Sequence, residues 1–199
     1  MTLPNKLTLF RVALVPVMVV VALIPALNNH YIGAMSIANF INIFIFIIAS
    51  LTDFLDGYLA RKNNQVTTFG KFADPLADKL LVISAMIVLF TQFERSFEYN
   101  WYLPFWVITI VLGREFIVSG IRLVCVEHGK VIPAGFSGKA KTFTQMFAII
   151  FLFLYQVNLF NYPVFGLIGA ILMYASTALA IYSGCEYFIK NKKILLESM

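Results

Sequence analysis

The chain has 199 residues, of which 60% are hydrophobic and only 13% charged, with a net charge of +5. A soluble domain averages about 45–50% apolar and about 25% charged residues, so this composition excludes an ordinary soluble protein and reads as a polytopic membrane protein. The length allows one domain over 1–199, nothing in it resembles a linker or an internal repeat, and no nucleic-acid partner is expected.

Six apolar stretches are predicted helices, near 8–27, 35–59, 77–93, 103–124, 143–158 and 163–189. Together they predict an all-α bundle of six transmembrane helices, since about 20 apolar residues cross a core of ~30 Å. The third and fifth are short, which tilt can absorb. The sixth is longer than one crossing and is expected to project into the cytosol. The first is read as a retained helix and not a signal peptide: its apolar run is long, and no small-x-small cleavage site follows Pro25, Ala26 and Leu27. Cys125 and Cys185 read as buried free thiols. His30 and His128 are too far apart to suggest zinc.

Of the fifteen Lys and Arg residues, Arg95 stands alone on one side of this arrangement and the other fourteen fall on the opposite side. The positive-inside rule then places both termini in the cytosol. Segments 28–34, 94–102 and 158–162 face outward, and the protein is expected in a bacterial-type plasma membrane.

The densest chemical information lies between the second and third stretches. Residues 53–78 read DFLDGYLARKNNQVTTFGKFADPLAD, or D-x2-D-G-x2-A-R-x8-G-x3-D-x3-D. Asp53 and Asp56 are three apart and Asp74 and Asp78 four apart, so each pair shares one helix face. A short connection makes the two helices antiparallel neighbours, whose acids can meet at one depth on the cytosolic side. Carboxylates at that depth are costly and mark function by default. Four together form an oxygen-rich cage suited to a hard divalent cation, Mg²⁺ or Mn²⁺.

The intervening residues fit a nucleotide diphosphate. Gly57 and Ala60 clear the helix face for a base or ribose, which offsets the roughly 1 kcal/mol that a mid-helix glycine costs. Arg61 can grip a phosphate with two parallel bonds. Gly70 is expected to supply a turn or close packing before the third helix, with Pro75 in that helix's first turn.

Further along, 112–145 reads LGREFIVSGIRLVCVEHGKVIPAGFSGKAKTFTQ. Arg114, Arg122, Lys139 and Lys141 can converge beneath the acid cage and suit a ligand that itself carries a phosphate. Glu115 is set apart from them. Arg114 and Glu115 also read as a buried ion pair, and Lys139 and Lys141 as interfacial anchors. Near the N-terminus, Asn5 and Thr8 are candidates for contacting the nucleotide or its phosphates, with helix capping as the equal alternative. Gly113, Ser119, Gly120, Gly166, Gly169 and Ala170 permit close helix contact. The aromatic runs at Phe40, Phe44 and Phe46, and at Phe143, Phe147, Phe151 and Phe153, face lipid or pack between helices.

The eight fixed positions from Asp53 to Asp78 match, without departure, the motif of the CDP-alcohol phosphotransferase family, which this chain resembles. The resemblance implies transfer of a phosphatidyl group from a CDP-linked lipid to an alcohol, with release of CMP. It implies that Asp53, Asp56 and Asp74 are metal ligands, and that Asp78 is the general base and may itself touch metal. GREF-x5-R, VIPA-x3-GK-x-KT-x2-Q and the opening LPNKLTLFR, with Pro4, Asn5, Thr8 and Arg11, look like its phosphatidylglycerophosphate synthase branch. That branch implies CDP-diacylglycerol as donor, sn-glycerol 3-phosphate as acceptor, and a homodimer. A relative taking another acceptor, such as inositol phosphate, is the alternative within the family. Outside it, a small cation or proton-coupled transporter would need acids reachable from both faces. The outward halves of the second and third stretches contain none.

Overall fold

The computed structural model describes residues 3–29, 31–32, 35–62, 68–94, 100–127, 135–157 and 163–197, with side chains over 5–28, 36–53, 73–93, 101–126, 135–157 and 163–192. Helix α1 (Leu3–Leu23) is followed by the short α2 (Pro25–Asn29) and by a two-residue antiparallel ladder pairing β1 (Tyr31–Ile32) with β2 (Met35–Ser36). Long helices α3 (Ile37–Lys62) and α4 (Thr68–Glu94) come next, then a single 3-10 turn at Asn100–Tyr102. Helices α5 (Phe105–Glu127), α6 (Phe136–Val157) and α7 (Pro163–Glu197) complete the chain. Apart from the ladder, the regular structure among the described residues is helical.

Several predicted boundaries move, each for a local reason. The stretch expected as one helix over 8–27 breaks after Leu23, because Pro25 disfavours helical backbone in the residue before it. Asn28 closes the break by donating from Nδ2 to the carbonyl oxygens of Ala22 (2.8 Å) and Ile24 (3.0 Å). Helix α4 begins at Thr68 and not near 77. Gly70 is therefore inside the helix and not in a turn before it, and Pro75 is an interior residue. There its missing N–H forgoes one bond to the preceding turn. Helix α6 starts at Phe136 and takes Lys139 and Lys141 into its first turns.

Among the described residues, four helical segments are long and apolar enough to cross a membrane: Asn5–Leu23, Ala73–Phe93, Phe136–Val157 and Pro163–Lys192. Among the residues whose side chains are described, helix α3 is apolar over Ile37–Asp53. Helix α5, of 23 residues, is interrupted by Arg114, Glu115 and Arg122. Arg114 and Glu115 are largely shielded by the protein, with side chains 11% and 15% exposed.

The core runs between α1, α3, α4, α6 and α7. Phe46, Phe93, Phe153, Met86, Leu89 and Leu152 are fully buried. The rings of Phe46 and Phe153 lie 6.3 Å apart, and Tyr102 meets Phe93 and Tyr155 edge-on. Phe40, Phe44, Phe143 and Phe147 sit on the outside, as expected for lipid-facing rings. Cys125 is buried, whereas Cys185 is exposed and not buried as expected. It lines an open apolar groove of about 510 Å³ between α5 and α7.

The expected small-residue contacts divide in two. A methyl group at Gly169 would come within 2.8 Å of Leu152 Cγ and 3.0 Å of its backbone nitrogen, and one at Gly166 within 2.5 Å of the Tyr102 ring. Gly113 and Gly120 would meet nothing within 4 Å and so provide no close contact. Gly169→Ala is therefore expected to lower stability by about 1–3 kcal/mol, because the backbone of α6 cannot yield cheaply. Gly113→Ala should not lower it, and thermal unfolding of the two variants in detergent makes the comparison.

Candidate active site

The inward face of α1 changes character along its length. Ala22, Met18 and Val15 are buried apolar residues, and the same stripe continues as Arg11, Thr8 and Asn5, also buried. The spacing of three and four residues keeps all of these on one side of the helix. Where the stripe turns polar, it meets the acids. Thr8 Oγ1 donates to Asp74 Oδ1 at 2.6 Å. The Arg11 guanidinium, 0% exposed, donates from Nη1 to Asp53 Oδ1 at 2.5 Å. One helix thus bridges the acid-bearing ends of α3 and α4.

The acids are also close enough to feel one another. Asp53 is repelled by Asp74, and Asp78 interacts with Asp53, Arg11, Lys141 and Glu115. Asp56 follows Asp53 by one turn of α3. Its side chain lies outside the described residues, as do those of Ala60 and Arg61 and the surroundings of Gly57 and Gly70. Among the described residues no three acids, histidines or cysteines form a group able to hold an ion. Asp53, Asp74 and Asp78 therefore do not close the expected cage without Asp56. Their donor set of carboxylate oxygens nonetheless fits a hard divalent cation.

The expected basic pocket divides. Glu115, the residue set apart in the sequence reading, is its hub: Oε1 accepts from Arg114 Nη1 at 2.9 Å and from Lys141 Nζ at 2.7 Å. Arg114 is held further by Ser183, whose Oγ accepts from Nε at 3.1 Å and from Nη2 at 2.9 Å. Ser119 donates to the Glu115 carbonyl at 2.6 Å and accepts from Lys79. Arg122 is elsewhere, donating to the Tyr187 hydroxyl at 2.8 Å with its guanidinium 5.3 Å from that ring's centroid. Eight residues of helix separate it from Arg114, about 12 Å along the axis. Lys139 is exposed while Lys141 is buried. Residues two apart on a helix do not face the same way.

A small polar cavity joins the two halves. It lies between α4, α5 and α6 and has a volume of about 20 Å³. Asp78, Lys79, Glu115, Lys141, Thr142 and Gln145 supply its polar lining. That volume admits one water. Gln145 Oε1, buried nearby, has no hydrogen-bond partner among the described residues. Asp78 is the motif residue that faces both the other acids and the buried lysine.

Sequence reasoning missed three participants. Arg11 was counted for charge and as part of a resembling motif, although its position three residues after Thr8 is a signal that it shares that face. Glu115 was read only as a packing partner. Ser183 lies in an apolar run and carries no local signal.

The family model described as CDP-alcohol phosphatidyltransferase matches residues 1–182. The chain is 41% identical to the CDP-diacylglycerol--glycerol-3-phosphate 3-phosphatidyltransferase of Bacillus subtilis (strain 168), over 98% of each chain. It is 37% identical to the protein of the same name from Rickettsia bellii (strain RML369-C), over 96% of each. The like-named protein of Shigella flexneri serotype 5b (strain 8401) is 33% identical, over 98% of this chain and 97% of that one. With its acid motif complete and the match running along nearly its whole length, the chain belongs to the CDP-alcohol phosphatidyltransferase family.

Proposed function

We propose that this protein transfers a phosphatidyl group from CDP-diacylglycerol to sn-glycerol 3-phosphate, giving phosphatidylglycerophosphate and CMP. The near-full-length similarity to relatives named for that reaction carries the reading. The gathering of Asp53, Asp74 and Asp78 around α1 supports it from the side of chemistry.

In the proposed reaction, the acceptor hydroxyl oxygen forms a bond to the β-phosphorus of the donor, the one carrying the diacylglycerol. The bond from that phosphorus to the oxygen bridging it to CMP breaks, and the hydroxyl proton passes to an Asp78 carboxylate oxygen. Asp78 is suited to this by facing the cavity that Lys141 also lines. Lys141 and Arg114, held by Glu115, form the cationic side that receives the acceptor phosphate, with Arg122 and Lys139 at its margin. Asn5, Thr8, Gly57, Ala60, Arg61 and Gly70 surround the CDP head. Asp53, Asp56, Asp74 and Asp78 would hold Mg²⁺ or Mn²⁺, which when bound offsets the negative charge of the pyrophosphate.

The proposed setting is a single domain over 1–199 with six membrane crossings, α3 and α5 among them, and both termini cytosolic. The site then lies at the cytosolic boundary of a bacterial-type plasma membrane, where a two-tailed donor reaches it from the bilayer and a water-soluble acceptor from below. A homodimer is proposed on family grounds.

An acceptor panel tests the reading. Purified protein with CDP-diacylglycerol and Mg²⁺ or Mn²⁺ is expected to release CMP with glycerol 3-phosphate. Turnover with inositol phosphate and none with glycerol 3-phosphate would overturn the acceptor assignment.

A further inference from the structure

The motif from Asp53 to Asp78 contains no residue of α1, yet two buried side chains of α1 hold its carboxylates. Packing alone does not require them. Val15, Met18 and Ala22, on the same stripe, already seat α1 against the bundle with apolar surface. Burying a guanidinium is costly, and an apolar residue of similar volume often serves stability as well or better. The stripe becomes polar only at the depth of Asp53 and Asp74.

The geometry points to Thr8 and Arg11 as positioning residues for the aspartates that would hold the cation. Thr8 engages Oδ1 of Asp74, and Arg11 engages Oδ1 of Asp53. A cation shared by these acids is then met by the remaining oxygen of each, at a rotamer set from outside the motif. Hydrogen-bond partners of ligating carboxylates orient them, and losing one costs metal affinity. Arg11 adds a second effect: a fixed positive charge among acids that otherwise repel one another across α3 and α4. The inference rests on the proposed function, because it takes these aspartates to be metal ligands.

Mn²⁺ binding to the full chain in detergent, with CDP present, is measured by electron paramagnetic resonance, and thermal unfolding is followed alongside. Thr8→Val keeps the shape and removes the donor; Thr8→Ser keeps the donor. Thr8→Val should weaken Mn²⁺ binding roughly 10–100-fold, and Thr8→Ser should remain within about threefold of the parent. Arg11→Lys keeps the charge but loses the planar fork, and should weaken binding in the same sense. It carries the test should Thr8→Val fail to fold. A lower unfolding temperature with unchanged Mn²⁺ affinity in both Thr8→Val and Arg11→Lys would overturn the inference and leave the proposed function standing. A parent protein that binds no Mn²⁺ would overturn both.

Discussion

Asp78→Asn should reduce CMP release about 10²–10⁴-fold, the usual contribution of a positioned general base. The substitution keeps the shape and hydrogen-bonding reach of the side chain and removes its ability to take a proton. Location distinguishes Asp78 from Asp53 and Asp74, the other motif aspartates whose side chains are described. Asp53 and Asp74 are each engaged by a donor from α1. Asp78 instead lines the cavity that Lys141 and Glu115 also line. An acceptor whose phosphate is held by the lysine would carry its hydroxyl toward Asp78. Donor binding should survive, because the CDP head is assigned to other residues and Asp53, Asp56 and Asp74 remain to hold the cation. The measurement is single-turnover CMP release at saturating CDP-diacylglycerol and glycerol 3-phosphate, with donor binding followed separately. Unimpaired turnover would remove Asp78 from the role of base.

Asp53→Asn should fail differently. It removes the carboxylate charge 2.5 Å from the Arg11 guanidinium, whose side chain is 0% exposed. Loss of fold stability is therefore expected together with loss of activity, whereas Asp78→Asn should lose activity alone. Unfolding temperatures of the two variants separate the roles.

How much was legible beforehand follows the range of the interactions. Asp53 with Asp56, and Asp74 with Asp78, are pairs within one helix turn, so spacing alone places each on one face. The approach of α3 to α4 follows from the short connection between them. Thr8 and Arg11 reach acids 66 and 42 residues away in sequence, and no local pattern names such partners. Composition likewise groups Gly113 with Gly169. Only the packed structure distinguishes a glycine that a neighbouring backbone abuts from one facing open space. Helix starts were misjudged where polar residues open an otherwise apolar helix. Thr68–Phe72 and Phe136–Lys141 lower the local hydropathy without interrupting helical backbone, so α4 and α6 begin well before their apolar runs. The basic set was read from charge sign, which groups Arg114, Arg122, Lys139 and Lys141. The structure groups by contact, and contact requires the anion Glu115 between the cations.

That anion makes the final prediction. Glu115 Oε1 holds Lys141, whose side chain is 4% exposed, and Arg114, 11% exposed. Glu115→Leu would leave Lys141 charged and buried without its carboxylate, and breaking a buried pair from one side costs about 3–5 kcal/mol. Arg114 retains Ser183, so the loss should fall mainly on the lysine. The double variant Glu115→Leu with Lys141→Met removes both charges at similar volume and should recover most of that stability, since apolar replacement of a whole pair is often neutral. Thermal unfolding of the parent, the two single variants and the double variant closes the cycle. Strictly additive effects would show that the pair is not coupled. Restored folding should not restore catalysis. Without Lys141 the acceptor loses the buried cation beside Asp78, so the KM for glycerol 3-phosphate should rise while that for CDP-diacylglycerol holds. An unchanged acceptor KM in the folded double variant would instead assign phosphate binding to the remaining cations, Arg114, Arg122 and Lys139.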